Sequence, residues 1–198
     1  MHIHRNSQKR YYSRNYVYFV TFNTENRIPY FNERIFCDIF IDNLILCKQL
    51  KRFELYAFCL LPDHVHILLK AGAVYNISNI IHFIKKNASY NINKIMMYNP
   101  FELTPKGGFA QTRLCFDNKM KYYKTEFEKK YGYDQSSIPQ FKWQGSFHNH
   151  IICDVKDFNN HLQYTAYNFH KHKIPDDWQY SSINYGFMID ESDYNIYN

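Results

Sequence analysis

The sequence contains no Cys-x-x-Cys pair, no internal repeat and no apolar run of the roughly 18 residues that would span a bilayer. Its five cysteines are widely spaced and odd in number, which argues against a disulfide framework and predicts reduced thiols. Residues 1–10 lack the apolar segment of a secretory signal. We therefore expect a cytoplasmic protein with no membrane association.

The composition is that of a folded and basic protein. With 45% hydrophobic and 19% aromatic residues in 198, the chain can bury a substantial core, which makes disorder an unfavourable interpretation. A net charge of +6 favours an anionic partner without requiring one. We expect one domain over residues 1–198, with an insertion at about 98–140 and a C-terminal tail from about 173.

Hydrophobic periodicity predicts an α+β fold. Aromatic and β-branched residues predict strands, whereas apolar positions three and four apart predict helices. The predicted strands are 16–23, 53–61, 64–70 and 147–153, and the predicted helices are one capped by Asn32, one over 77–95, one over 117–131 and one over 157–171. The order strand-helix-strand-strand-helix-strand is that of a ferredoxin-like sandwich with an antiparallel sheet, and the helix in the insertion is additional to it.

The segment His64-Val65-His66 opens the third predicted strand. Residues two apart on a strand project from the same face, so the two imidazoles can converge on one divalent ion and leave coordination positions open. The alternative is that each histidine is a half-buried structural residue, and we favour the metal site. Asp63 could orient His64 through a hydrogen bond, although its position after Pro62 is explained more simply by a turn.

The last predicted helix carries a polar stripe of His161, Tyr164, Asn168 and Lys171, opposite its apolar stripe. Tyr164 and Asn168, four residues apart, are therefore expected to point the same way, and His161 and Lys171 share that face in supporting roles. Four further aromatic or imidazole side chains are given no catalytic role. Tyr167 is expected to be structural, His150 to be structural or to support a ligand residue by a hydrogen bond, and His170 and His172 to face solvent.

The ordered set of these residues resembles the single-tyrosine HUH transposases, and most closely their REP-associated tyrosine transposase branch. The resemblance also involves Lys9–Arg14, Tyr18–Phe22, Trp143–Phe147, His150 to Ile152 and Asp177–Ser182. It implies the HUH endonuclease fold, with His64, His66 and Asn168 as ligands of Mg²⁺ or Mn²⁺ and Tyr164 as nucleophile. The Asn-Pro dipeptide common in that branch is Asn168-Phe169 here, which leaves open whether the chain bends after the tyrosine helix.

Two basic segments have alternative interpretations. The N-terminal residues Lys9, Arg10, Tyr11, Tyr12 and Arg14 combine cations with stacking rings, which suits single-stranded DNA, but they could equally form a flexible basic tail. The lysine-rich helix at 117–131 is expected to be a solvated surface helix, with a DNA-contacting insertion as the alternative.

The sequence therefore predicts a transposase that cuts hairpin-bearing, single-stranded DNA through a 5′-phosphotyrosine and rejoins it by transesterification without ATP. One alternative is a domesticated DNA-binding protein that has lost the reaction, and another is a metallo-phosphodiesterase that uses only the histidines. A monomer is favoured over a homodimer that exchanges the tyrosine helix.

Overall fold

The fold was analysed in a computed structural model, which describes residues 16–98, 110–132 and 138–193. Four strands form one antiparallel sheet in the spatial order β2-β3-β1-β4. The strands are β1 (Val17–Asn23), β2 (Glu54–Leu61), β3 (His64–Lys70) and β4 (His148–Ile151). This strand order confirms the predicted α+β fold with a ferredoxin-like sheet.

Five helices accompany the sheet: α1 (Arg34–Lys51), α2 (Ile77–Ile95), α3 (Ala110–Tyr131), α4 (Val155–Ala166) and α5 (Asn168–Lys171). The cap of α1 differs from the prediction, because the side chain of Glu33, and not that of Asn32, accepts the Ile35 amide hydrogen at 3.2 Å. Asn32 instead ends a short 3-10 turn, Tyr30–Asn32. In the described part of the chain, no helix is both long and apolar enough to cross a membrane.

Different helices pack on the two faces of the sheet, as the alternating side chains of β3 show. Val65, Ile67 and Leu69 alternate with the histidines and belong to the large core cluster beneath α1 and α2. Leu68 points to the other face and joins a smaller cluster that includes Phe158 of α4. Since side chains alternate along a strand, His64 and His66 lie on the α4 face with Leu68.

Phe158 anchors α4 on this second face. Its ring is fully buried and meets the ring of Tyr56 edge-on at 5.4 Å between centroids. Burial of a side chain of this size stabilises the fold by about 1.5–3 kcal/mol. Helix α4 begins after Asp154, whose carboxylate accepts the Asp157 amide hydrogen at 2.8 Å. The tyrosine helix is thereby held against the sheet of its own chain.

The helix predicted over 157–171 is interrupted at Tyr167. The hydroxyl of Ser181 donates to the carbonyl of Ala166, which would accept the His170 amide hydrogen in a continuous α-helix. That amide hydrogen goes instead to the Tyr167 carbonyl at 3.2 Å, a 3-10 type bond. The chain therefore bends between Tyr164 and Asn168 although it lacks the proline of the resembled branch.

Helix α3 starts at Ala110, before the predicted position 117, and packs on α1 through a stack between Phe127 and Phe36 at 5.6 Å. Most of its lysines pair with carboxylates of the same chain. The pairs are Lys119–Asp42, Lys124–Glu128, Lys129–Glu126 and Lys130–Glu33. This neutralisation favours the surface-helix interpretation over a DNA-contacting one.

The C-terminal segment lies along the outer edge of β2. The Leu60 amide donates to the Tyr180 carbonyl at 2.9 Å, and the Asp190 amide donates to the Leu55 carbonyl at 2.8 Å. An open strand edge is a site of unwanted pairing, so this segment protects β2. It also delivers Ser181 to the bend after α4.

Candidate active site

The two histidines of β3 are buried on the α4 face of the sheet, in the middle of paired strands. His66 lies opposite Thr21 of β1 and Cys59 of β2, and it is only 6% exposed. His64 is buried as well, and the two imidazole centroids are 4.9 Å apart with perpendicular rings. The strand geometry expected from the His-Val-His spacing is present.

Each imidazole has a hydrogen-bond partner at Nδ1. Asp63 Oδ1 lies 2.6 Å from Nδ1 of His64, and Thr21 Oγ1 lies 2.7 Å from Nδ1 of His66. A carboxylate can only accept, so the proton of neutral His64 is on Nδ1 and the lone pair is on Nε2. Asp63 lies in the turn that the sequence favoured and also makes the orienting contact to His64 that was the alternative.

Burial keeps both imidazoles neutral. Burial lowers the pKa of His66 to about 3, and repulsion from His64 and His172 in their protonated forms and from Arg27 and Lys171 acts in the same direction. Burial also lowers the pKa of His64, although the Asp63 carboxylate opposes this effect. A neutral imidazole is the form that binds metals, so the pair is ready to bind at neutral pH without losing protons.

Tyr164 lies beside this pair on α4. Its ring centroid is 5.5 Å from that of His66 and 5.7 Å from that of Phe19, in edge-on contacts. The side chain is 37% exposed, so an incoming substrate can reach it. Lys171 Nζ lies 4.5 Å from the Tyr164 ring centroid, which places a positive charge next to the phenol.

Asn168 is the first residue of α5 and is 1% exposed. Neither its Oδ1 nor its Nδ2 has a hydrogen-bond partner among the described residues. The next residue, Phe169, packs on Cys59 and Leu61, the β2 neighbours of the two histidines. A buried carboxamide without partners is costly unless something else binds it, which is the behaviour of a ligand residue.

The donor set fits a divalent ion. Two imidazole nitrogens with free lone pairs and one amide oxygen leave further positions for water or phosphate oxygens. The orphaned Asn168 oxygen is the observation in this structure that supports the assignment.

Sequence reasoning missed several residues around the site. Thr21 could have been found only by pairing β1 with β3 in the correct register. Arg27 contacts Asp63 at 3.4 Å and bears its charge at the edge of the site. His172 is exposed as expected, yet its ring centroid lies 4.9 Å from that of His64. No spacing rule in the sequence signals either residue.

The remaining predicted residues have other surroundings. His161 hydrogen-bonds to Asp157 and contacts Phe19, so its Nδ1 is already occupied. Tyr167, expected to pack structurally, is 47% exposed and stacks only loosely on His170 at 6.0 Å. The proposed DNA-binding residues Lys9, Arg10, Tyr11, Tyr12 and Arg14 lie outside the described residues.

The antiparallel sheet, the paired histidines and the tyrosine on the covering helix define the single-tyrosine HUH class. The family model described as "Transposase IS200 like" matches residues 12–109. A Haemophilus influenzae protein named as a REP-associated tyrosine transposase is 31% identical over 135 residues, which are 66% of this chain and 59% of that protein. These matches confirm the resemblance to the single-tyrosine transposases, and to their REP-associated branch, that the sequence indicated.

A solved structure supports the fold. The chain resembles a structure titled as a REP-associated tyrosine transposase bound to a REP hairpin, with a TM-score of 0.59 and 20% identity, over 91% of this chain and 84% of that one. The aligned region spans about 59% of the length of the Haemophilus protein.

Proposed function

We propose that this protein is a metal-dependent, single-strand DNA endonuclease and strand transferase. The observation that carries the proposal is the position of Tyr164 beside the buried histidine pair, with its ring 5.5 Å from that of His66. The buried carboxamide of Asn168, which has no partner among the described residues, supports it as a third ligand. Neither a purely structural histidine pair nor a DNA-binding surface requires this combination.

His64, His66 and Asn168 would hold Mg²⁺ or Mn²⁺. When bound, such an ion supplies Lewis-acid polarisation of the scissile phosphate and helps to orient it. Asp63 and Thr21 contact Nδ1 of the two imidazoles, which would leave Nε2 of each available to such an ion. Their hydrogen bonds fix the ligands before substrate arrives.

Tyr164 Oη attacks the phosphorus, a bond forms between them, and the bond from phosphorus to the 3′-oxygen breaks. The phenolic proton is lost during the attack, and the departing 3′-oxygen takes up a proton to become a hydroxyl. Lys171, beside the Tyr164 ring, stabilises the developing negative charge. One phosphate ester replaces another, so a 3′-hydroxyl can reverse the step without ATP.

The proposed substrate is hairpin-bearing, single-stranded DNA. The net charge of +6 suits an anionic partner, and the related solved structure is titled as bound to a REP hairpin. We propose a monomer acting in the cytoplasm, since Tyr164 reaches His66 within one chain and needs no exchanged helix. The N-terminal Lys9–Arg14 segment would bind the single-stranded DNA beside the hairpin.

The test is a covalent adduct on a denaturing gel. Full-length protein is incubated with Mn²⁺ and labelled hairpin oligonucleotides, and protein-linked label is measured. Tyr164→Phe should abolish the adduct while retaining hairpin binding, because it removes only the nucleophilic oxygen. Tyr167→Phe is the matched control, since this exposed tyrosine lies three residues away and should leave the adduct intact.

Three outcomes would contradict the proposal. An undiminished adduct in Tyr164→Phe would exclude this nucleophile. Hairpin binding by the wild-type protein without any adduct would favour the domesticated DNA-binding protein, and cleavage without an adduct would favour metal-dependent hydrolysis.

A further inference from the structure

A second group of potential ligands lies on the other side of Phe19 from the site described above. It consists of His150 on β4 and of Asp157 and His161 on α4. His150 Nε2 lies 2.8 Å from Asp157 Oδ2, and His161 Nδ1 lies 2.9 Å from Asp157 Oδ1. One ligand atom from each residue lies within 4.8 Å of the others.

We propose that His150, Asp157 and His161 form a second metal site, which takes a borderline transition ion such as Zn²⁺ or Co²⁺. Two imidazoles and one carboxylate are a donor set that such ions prefer over Mg²⁺. This site is independent of the proposed DNA cleavage and shares no ligand with it.

The geometry requires side-chain shifts. In a tetrahedral site with bonds of 2.0–2.1 Å, ligand atoms are about 3.3 Å apart. The two imidazoles contact different oxygens of Asp157, so the carboxylate would bind through both oxygens or turn until one oxygen lies at that distance from each nitrogen, and the nitrogen atoms must approach each other. The imidazole rings are already stacked at 4.7 Å, with an angle of 21° between them.

The surroundings position the carboxylate and leave room for a fourth ligand. The Cys153 amide donates to Asp157 Oδ2 at 3.0 Å, which orients the group as outer hydrogen bonds do in metal sites. The His150 side chain is 47% exposed, so water can complete the coordination. His161 Nδ1 also lies 2.9 Å from the Asp157 carbonyl, a hydrogen bond that metal binding would replace.

Asp157 is ionised when an ion arrives. Burial tends to raise its pKa, but the hydrogen bonds from the Cys153 amide and His150 outweigh this effect and lower it overall. The metal would therefore displace no proton from the carboxyl group. Its effect would be to join the edge strand β4 to the helix that carries Tyr164, three residues after His161.

The experiment separates this site from the first one. Full-length His64→Ala/His66→Ala protein is titrated with Co²⁺, and the visible absorption of the bound ion and the stoichiometry are recorded. We expect one bound equivalent of Co²⁺, and we expect the affinity for it to fall about tenfold or more when His161→Gln is added. His148→Gln on the same strand is the matched control and should retain the full signal.

A second measurement guards against loss of the fold. In the otherwise wild-type chain, His161→Gln should remove one equivalent of bound Co²⁺ and abolish part of the Zn²⁺-induced rise in Tm. The proposal is overturned if the double variant folds but binds no Co²⁺, or if His161→Gln leaves Co²⁺ binding unchanged. A decrease in Tm by His161→Gln that is the same with and without Zn²⁺ would show a hydrogen-bonded cluster only.

Discussion

Asn168→Leu should make the metal-free protein more stable and should reduce the stabilisation that metal binding gives. Leucine has the same branched shape as asparagine but no polar atoms, and Asn168 buries two polar atoms without partners among the described residues. Each such atom costs about 1–3 kcal/mol. Taking the low end for both gives about 2 kcal/mol, which corresponds to a rise in Tm of roughly 4–8 °C for a chain of this size.

The assay is thermal unfolding in EDTA and in excess Mn²⁺. Free metal at 100 times its Kd stabilises a protein that binds it only when folded by about 2.7 kcal/mol. The wild-type protein should show this gain, whereas Asn168→Leu should show much less of it. The order of stability would then reverse between the two conditions.

Thr165→Val provides the matched control. The Thr165 hydroxyl is also buried without a partner among the described residues, three residues before Asn168, and valine preserves its shape. This variant should gain stability in EDTA and keep the full response to Mn²⁺. A loss of stability for Asn168→Leu in EDTA would refute the reasoning, because it would mean that the amide has structural partners.

Three further outcomes are expected. Folding lowers the pKa of His66 from 6.5 to about 3, so the unfolded chain takes up the proton first as the pH falls. Acidification from pH 7.5 to 5.5 should therefore lower the free energy of unfolding of the metal-free protein by about 1.4 kcal/mol, with further loss toward pH 3. Denaturant titrations of the wild-type protein and His66→Gln at both pH values would show whether this part of the loss disappears in the variant. Asp63→Asn should weaken Mn²⁺ binding by about 10–100-fold, since the amide does not hold the Nδ1 proton of His64 as strongly, and calorimetry without DNA would measure it. Removal of residues 1–14 should weaken hairpin binding or reduce its sequence preference. Gel-shift affinities for matched and scrambled hairpins that are both unchanged by the truncation would contradict that role.

Local patterns were enough to predict the sheet and the positions of the histidines. Alternation along β3 determines that His64 and His66 share a face, and the strand boundaries 64–70 were predicted correctly. Thr21 could not be predicted in the same way, because its contact with His66 depends on which residues of β1 and β3 face each other. Register is a property of two strands and not of either sequence segment.

The break in the tyrosine helix shows a second limit. A continuous helix was expected because the apolar periodicity continues through Phe169. The break depends on Ser181, 15 residues after Ala166, which arrives through the pairing of the C-terminal segment with β2. A side chain so distant in sequence leaves no trace in the periodicity of the helix itself. The orphaned state of Asn168 depends on the same tertiary arrangement.

One face of β3 contributes to the hydrophobic core, and the other carries the residues of the candidate site. On the α1 and α2 face, Val65, Ile67 and Leu69 bury apolar surface and stabilise the fold. On the α4 face, the same strand buries two imidazoles that are held neutral, and α5 adds a carboxamide without partners among the described residues. Burying such polar groups costs stability in the metal-free fold, so folding alone gives no reason to keep them there. A common ligand that satisfies all three at once would give such a reason, and under the proposed function a phosphate would then lie beside the accessible phenol of Tyr164.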